Sequence, residues 1–141
     1  MTLDEGKKAA RKVAAERRNA AFAADPNAGE RLAERVIEQA AALGIGPGVA
    51  ISAYWPMREE MDVRPLMHGL AQRGCAVALP VVMGKGKPLV LRRWRPGMVL
   101  RSGTFGLSAP DEREPEVTPG IVFAPLLAFD RLGNRIGWGA G

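Results

Sequence analysis

The chain contains a single cysteine, Cys75, among its 141 residues, which excludes an internal disulfide. One free thiol suits a reducing compartment, so a cytoplasmic location is expected. No apolar run approaches the length of a membrane span, and no membrane partner is expected. The segment from Met1 to Arg18 is charged and amphipathic and lacks an apolar h-region, unlike a secretory signal. The one histidine, His68, has no neighbours at metal-ligand spacing, and no metal-ligating set is expected. Also missing are a Walker A loop, a dinucleotide fingerprint after a first strand, and any Ser/His/Asp or Cys/His pairing.

Acidic residues are absent from a long internal stretch. Between Asp62 and Asp111 the only charges are Arg64, Arg73, Lys85, Lys87, Arg92, Arg93, Arg95 and Arg101. With a net charge of +5, this one-sign field favours anionic partners such as nucleotide phosphates, polycarboxylates or nucleic acid. An RNA reader would interleave aromatics on a sheet face, and only Trp94 sits among these basic residues. Nucleic acid is therefore not the expected partner, and a non-catalytic anion- or RNA-binding α/β module is the weaker alternative.

What is present is ordinary globular composition: 47% apolar and 25% charged residues, enough for one domain spanning residues 1–141. Thr2 and Glu5 match a capping box, so a first helix is expected up to about Ala24, where Asp25-Pro26 breaks it. Its apolar positions are mostly alanine, which predicts close packing with little buried area. Asn27 and Glu30 suggest a second cap. Leu32, Val36, Ala40 and Leu43 mark the face of a second helix ending at Gly44. Val49–Tyr54 reads as a strand, Val63–Arg73 as a helix capped by Asp62 and stopped by Gly74, and Ala76–Val82 as a strand. That strand–helix–strand spacing predicts a parallel, right-handed crossover. Leu89–Trp94 is expected to return antiparallel, residues 95–120 to be mostly irregular, and Ile121–Pro125 to form the last strand. The sum is a layered α/β domain with helices on a mixed, mainly parallel sheet. Ligands in such sheets sit at the carboxyl ends of the strands, here the loops Trp55–Asp62 and Leu126–Gly141.

The second loop carries the strongest chemical signal. Gly133, Gly137, Gly139 and Gly141 accompany Arg131 and Arg135 after an apolar strand. Glycines let backbone N–H groups approach a phosphate, and arginines supply countercharge. Lys7 and Arg11 share one helix face, where a solvated basic face is the simpler reading. Glu59, Glu60 and Asp62 read either as a solvated loop or as acceptors for a ligand's ring nitrogens, with Met57 as an apolar wall. Phe105 reads as core or as a surface for a flat ligand.

In order along the chain, these fragments resemble the 5-formyltetrahydrofolate cyclo-ligase family. The segments are Lys7 and Arg11; Tyr54-Trp55-Pro56 through Asp62; Leu79 to Val82; Leu91 to Trp94; Gly103 to Leu107 with Pro110; and Pro125 to Asp130 with Gly133 to Gly141. The resemblance implies a three-layer α/β/α fold, shared with sugar-phosphate isomerases and CoA transferases, and an enzyme using ATP and Mg²⁺. The implied reaction converts 5-formyltetrahydrofolate to 5,10-methenyltetrahydrofolate: the formyl oxygen takes the γ-phosphoryl group, N10 closes the ring and phosphate leaves. It further implies ATP contacts at Lys7, Arg11, Arg135, Ile136, Gly137, Trp138, Gly139, Ala140 and Gly141, with Arg135 offsetting phosphate charge. Folate contacts are implied at Met57, Asp62, Trp94, Phe105, Trp138, Gly139, Ala140 and Gly141. The basic interval suits the glutamate tail of a folate, polyglutamylated or not. The family's motif continues beyond its last glycine with a helix, a further strand and a magnesium-binding carboxylate. Their absence from this sequence leads to the expectation of an incomplete domain with impaired activity, monomeric or self-associating through exposed apolar surface.

Overall fold

The computed structural model describes residues 1–137, and of Phe105 only the backbone. Helix α1 spans Leu3–Ala24. Its capping box is fully formed: Thr2 Oγ1 accepts from the Glu5 N–H at 3.2 Å, and Glu5 Oε2 accepts from the Thr2 N–H at 2.8 Å. Helix α2 (Ala28–Glu38) starts after Asn27, whose side chain makes no capping hydrogen bond. Its regular part stops at Glu38, short of the expected Gly44. The chain winds on in turns until Ile45 N–H reaches Ala40 O at 2.8 Å around Gly44, whose φ is +72°. Glycine thus ends the winding as expected, but through a Schellman-type turn after the helix has already loosened.

Strand β1 (Ala50–Ser52), helix α3 (Arg64–Gln72) and strand β2 (Ala76–Val81) form the expected crossover, with β1 and β2 parallel and Ile51 opposite Val77. The helix ends in the same manner, with Cys75 N–H donating to Leu70 O at 3.1 Å around Gly74. Strand β3 (Val90–Arg93) runs antiparallel to β2. The region from Arg95 to Gly120 is mostly irregular, as expected. It holds the short pair β4 (Arg101–Ser102) and β5 (Ser108–Ala109), with a 3-10 turn between them. Glu116 then bridges to Arg92, so the outer edge of β3 is covered rather than left open. Strand β6 (Ile121–Val122) is shorter than expected and lies parallel to β1, giving the order β3-β2-β1-β6.

The core lies between this sheet and the α2–α3 layer. Ile51, Leu66, Met67, Leu70, Val77 and Leu79 are each 0% exposed. Fully burying one such side chain contributes about 2 kcal/mol. The opposite face of the strands, at Ser52 and Ala78, is buried too, as expected for a strand covered on both sides. Parallel pairing sets the function: the loops after β1, β2 and β6 all leave the sheet at one end.

Candidate functional site

The loop after β6 is not the open glycine coil its sequence suggests. It folds into a hairpin of strands β7 (Ala128–Phe129) and β8 (Arg135–Ile136). Asp130 builds the turn. Its carboxylate accepts from the Leu132 and Asn134 N–H groups at 2.8 and 2.9 Å and from Asn134 Nδ2 at 2.8 Å. The Asn134 side chain, with a smaller contribution from the backbone N–H groups, holds this carboxyl below its ordinary range. Gly133, at φ +85°, takes the left-handed position in the turn. The Asp130-x-x-Gly133-Asn134 part of the motif is thus architecture that presents β8 and Gly137.

Gly137, at the end of β8, meets α1. Arg11 Nε donates to Gly137 O at 3.1 Å, joining two segments 126 residues apart. Among the described residues the terminal nitrogens of Arg11 make no hydrogen bond, so its charge remains available beside the loop. Lys7 stands one turn earlier on the same face, exposed. Arg135 is exposed on β8, and strand alternation turns it away from the face that Ile136 presents to a large cavity.

That cavity, of about 770 Å³, opens next to the Arg11–Gly137 junction, and its volume is typical of sites for small organic ligands. One wall is the α1 stripe of Ala10, Val13, Ala14, Arg17 and Ala21; another is Leu127 and Ile136 of the hairpin; a third is the loop from Glu59 to Asp62. The alanines of α1 bury little area, as expected, since only Ala14 is buried in that helix; the close packing expected of them is not found, and Ala9, Ala10, Ala14 and Ala21 line open space.

The acidic loop divides its labour. The Asp62 carboxylate is held by Arg64 Nε at 2.8 Å, Arg64 Nη2 at 2.9 Å and the Arg64 N–H at 3.0 Å. The Arg64 side-chain hydrogen bond therefore keeps the Asp62 carboxyl below its ordinary range, against a smaller opposing effect of burial. The backbone bond is the helix-start role expected of Asp62, reached from one residue before the Val63 cap. Glu60 Oε1 accepts the Met57 N–H at 2.8 Å, leaving the Met57 side chain exposed. Glu59 lines the cavity and makes no ion pair among the described residues. Tyr54 ties the loop down by donating to Met61 O at 2.8 Å, and burial, then Glu60 and Asp62, push its phenol pKa up. Gly29 fixes the loop against α2: a Cβ there would run into the Asp62 carbonyl.

Trp94 is placed elsewhere. It is 3% exposed in the core with its ring edge-on to His68 at 5.2 Å, and it does not line the cavity. A ligand-flanking role is therefore not open to it in this arrangement, and it offers no stacking face for a base. His68 is exposed on α3 while making that ring contact. Cys75 is buried, and burial raises its pKa. Trp138, Gly139, Ala140, Gly141 and the Phe105 side chain lie outside the described residues.

The acid-free interval is not an acid-free surface. Arg95 pairs with Glu114 at 3.3 Å, Arg101 with Asp111 at 2.7 Å, Arg92 with Glu116 at 3.8 Å and Arg64 with Asp62 at 2.8 Å. Half of the expected field is thus spent within the fold, through carboxylates that flank the interval in sequence. The sequence did not mark Arg17 and Leu127 as cavity walls, and it assigned Ile136 to the nucleotide. The signal was available in the spacing of Ala10, Ala14, Arg17 and Ala21, which puts one cation on a stripe of small residues.

The arrangement defines an α/β domain with a cavity at the carboxyl end of its parallel strands and a cationic ledge beside it. The chain belongs to the 5-formyltetrahydrofolate cyclo-ligase family, whose family model matches residues 4–141. It is 32% identical over 96 residues to a 5-formyltetrahydrofolate cyclo-ligase of Haemophilus influenzae, covering 64% of this chain and 51% of that protein. It is 36% identical over 102 residues to the enzyme of the same name from Mycolicibacterium smegmatis, covering 67% of this chain and 52% of the relative. The solved structure of Aquifex aeolicus 5,10-methenyltetrahydrofolate synthetase superposes with a TM-score of 0.70 at 27% identity, covering 96% of this chain and 68% of that one. The chain thus spans about half the length of the curated relatives it matches.

Proposed function

We propose that this chain binds 5-formyltetrahydrofolate and ATP and serves the ATP-dependent closure of 5-formyltetrahydrofolate to 5,10-methenyltetrahydrofolate, releasing ADP and phosphate. The observation that carries the reading is the 3.1 Å hydrogen bond from Arg11 to Gly137 O beside the 770 Å³ cavity. It brings together two of the segments on which the resemblance rests, at a place where a phosphate and a flat organic ligand can lie side by side.

Bound ATP supplies a phosphoryl group that turns the formyl oxygen into a leaving group. Activation of this kind depends on positioning and on countercharge more than on a protein nucleophile. Arg11 is held in place by Gly137 and presents its remaining donors to the phosphates. Lys7 and Arg135 add countercharge, and Gly137, Gly139 and Gly141 let the backbone approach. Ile136, Trp138 and Ala140 complete the nucleotide side. On the folate side, Met57 offers an apolar wall, and the carboxylates of Asp62 and Glu59 accept from ring N–H groups. The apolar stripe of α1 keeps water from the reacting groups. Among the described residues no group of three or more His, Cys, Asp or Glu side chains is arranged for a metal. No step of this reading depends on a protein-bound Mg²⁺, which needs few protein carboxylates when it arrives on phosphates.

The working form is a cytoplasmic monomer. For the 141-residue chain we expect binding of both ligands. Calorimetric titration with 5-formyltetrahydrofolate and with ATP–Mg²⁺, with methenyl formation followed by absorbance, tests this. Binding of both ligands supports the reading, methenyl formation extends it to turnover, and no binding to a folded chain contradicts the proposal.

A further inference from the structure

Arg17 stands out on the cavity wall. It lies three residues after Ala14 and four before Ala21, so the helix places it on the small-residue stripe that lines the cavity. No carboxylate pairs with it among the described residues, whereas Arg31, Arg35, Arg64, Arg92, Arg95, Arg101 and Arg113 all have acidic partners. The neighbouring wall residues Val13, Leu127 and Ile136 are apolar. The cavity therefore presents an apolar interior, carboxylates at Glu59, Asp62 and Asp25, the last paired with Arg31, and two cations on α1: Arg18, which acts electrostatically on Tyr54, and the more exposed Arg17. That polarity fits a flat ligand with ring N–H donors at one part and an anionic group at another.

From this geometry we infer that Arg17 is the carboxylate anchor of the cavity, gripping the glutamyl end of the folate. The inference rests on the proposed folate function and deepens it by assigning a residue to the part of the substrate that does not react. Six residues of helix separate Arg17 from Arg11, a rise of about 9 Å. In the substrate, one aromatic ring and an amide separate N10 from the glutamyl carboxylates. With the reacting end beside Arg11 and Gly137, the benzoyl ring lies along Ala14 and Val13, and the carboxylate reaches Arg17. Binding energy at this remote group serves to hold the reacting end in place. Arginine suits the task, because its planar fork matches a carboxylate and stays charged throughout the working pH range.

The test compares two ligands on two proteins: 5-formyltetrahydrofolate and 5-formyltetrahydropteroate capped as its primary amide, which lacks the glutamyl group and carries no carboxylate, on the wild-type chain and on Arg17→Gln. Arg17 is on an exposed helix face, and circular dichroism checks that the variant folds. The wild type is expected to prefer the glutamyl form by about tenfold, as one charge-assisted hydrogen bond gives. Arg17→Gln is expected to lose that preference while keeping its affinity for the amide, and Arg17→Lys to restore part of it. A preference that survives in Arg17→Gln, or a wild type with none, overturns the assignment and leaves the folate function intact. A folded wild type that binds neither ligand overturns the folate function, and this inference with it.

Discussion

The two halves of the molecule are held together by different forces. The α2–α3 half is fastened by burial: Leu66, Met67 and Leu70 meet Ile51, Val77 and Leu79 with no exposure. The α1–hairpin half is fastened by polar contacts: a capping box, one Arg11–Gly137 hydrogen bond and the Asp130 turn. Apolar side chains there stay partly open, with Val13 47% exposed, and they surround a cavity. A region that accepts a ligand, as proposed for this one, cannot fill itself with its own side chains. It is therefore positioned by directional bonds, while the packed half supplies the stability.

The sharpest way to break this contrast is a pair of truncations. Leu66→Ala, at a fully buried position, is expected to cost about 3 kcal/mol of unfolding free energy in urea titrations. Val13→Ala, on the cavity wall, is expected to change stability by less than about 0.5 kcal/mol and to weaken folate binding instead. Equal costs would dissolve the distinction.

Gly29 tests the seam between the halves. Gly29→Ala drives a Cβ into the Asp62 carbonyl and is expected to cost about 1–3 kcal/mol. It should also weaken folate binding by displacing the acidic loop, and calorimetry on the purified variant reads both effects. Arg11→Met should cost stability by only about 1 kcal/mol, the net value of one hydrogen bond. ATP affinity is expected to fall by about tenfold, since the variant removes a phosphate countercharge.

The smallest expected effect is on acid stability. The hydrogen bonds from Arg113 hold the Asp111 carboxyl down at about 2, and Asp62 and Asp130 are lowered by Arg64 and Asn134. A carboxyl lowered in the folded state contributes stability that is present above its unfolded value and lost as pH falls through the folded one. For Asp111 that window runs from the ordinary 3.8 down to about 2. Thermal melts of Asp111→Asn should therefore converge with wild type only towards the bottom of that window and show little pH dependence of the difference near neutrality.

Much of the fold was legible in the sequence, for physical reasons. Thr2 with Glu5, the Gly44 and Gly74 stops, and the apolar runs around Ile51 and Val77 are local signals, and the fold obeyed them. Local signals did not reach the long-range pairings. Arg95 and Arg101 looked unopposed because Glu114 and Asp111 lie beyond the basic interval in sequence. Trp94 read as ligand surface because its burial depends on Val77 and His68 arriving from other elements. The glycine loop read as coil because the hairpin turn is made by Asp130 and Asn134 side chains, whose bonding pattern composition does not display. Of the candidate site, the sequence showed Arg11 and the segment that reaches Gly137 as two separate ends. Their meeting came only with the fold.

Amide hydrogen exchange of the chain with and without 5-formyltetrahydrofolate tests the central claim, that the ligand fills the space between α1 and the β7–β8 hairpin. The account predicts new protection in residues 9–22, 59–62 and 126–137, with the α2–α3 core unchanged. Protection confined to α2, α3 or the Lys85–Lys87 turn, with the cavity walls unaffected, would contradict it.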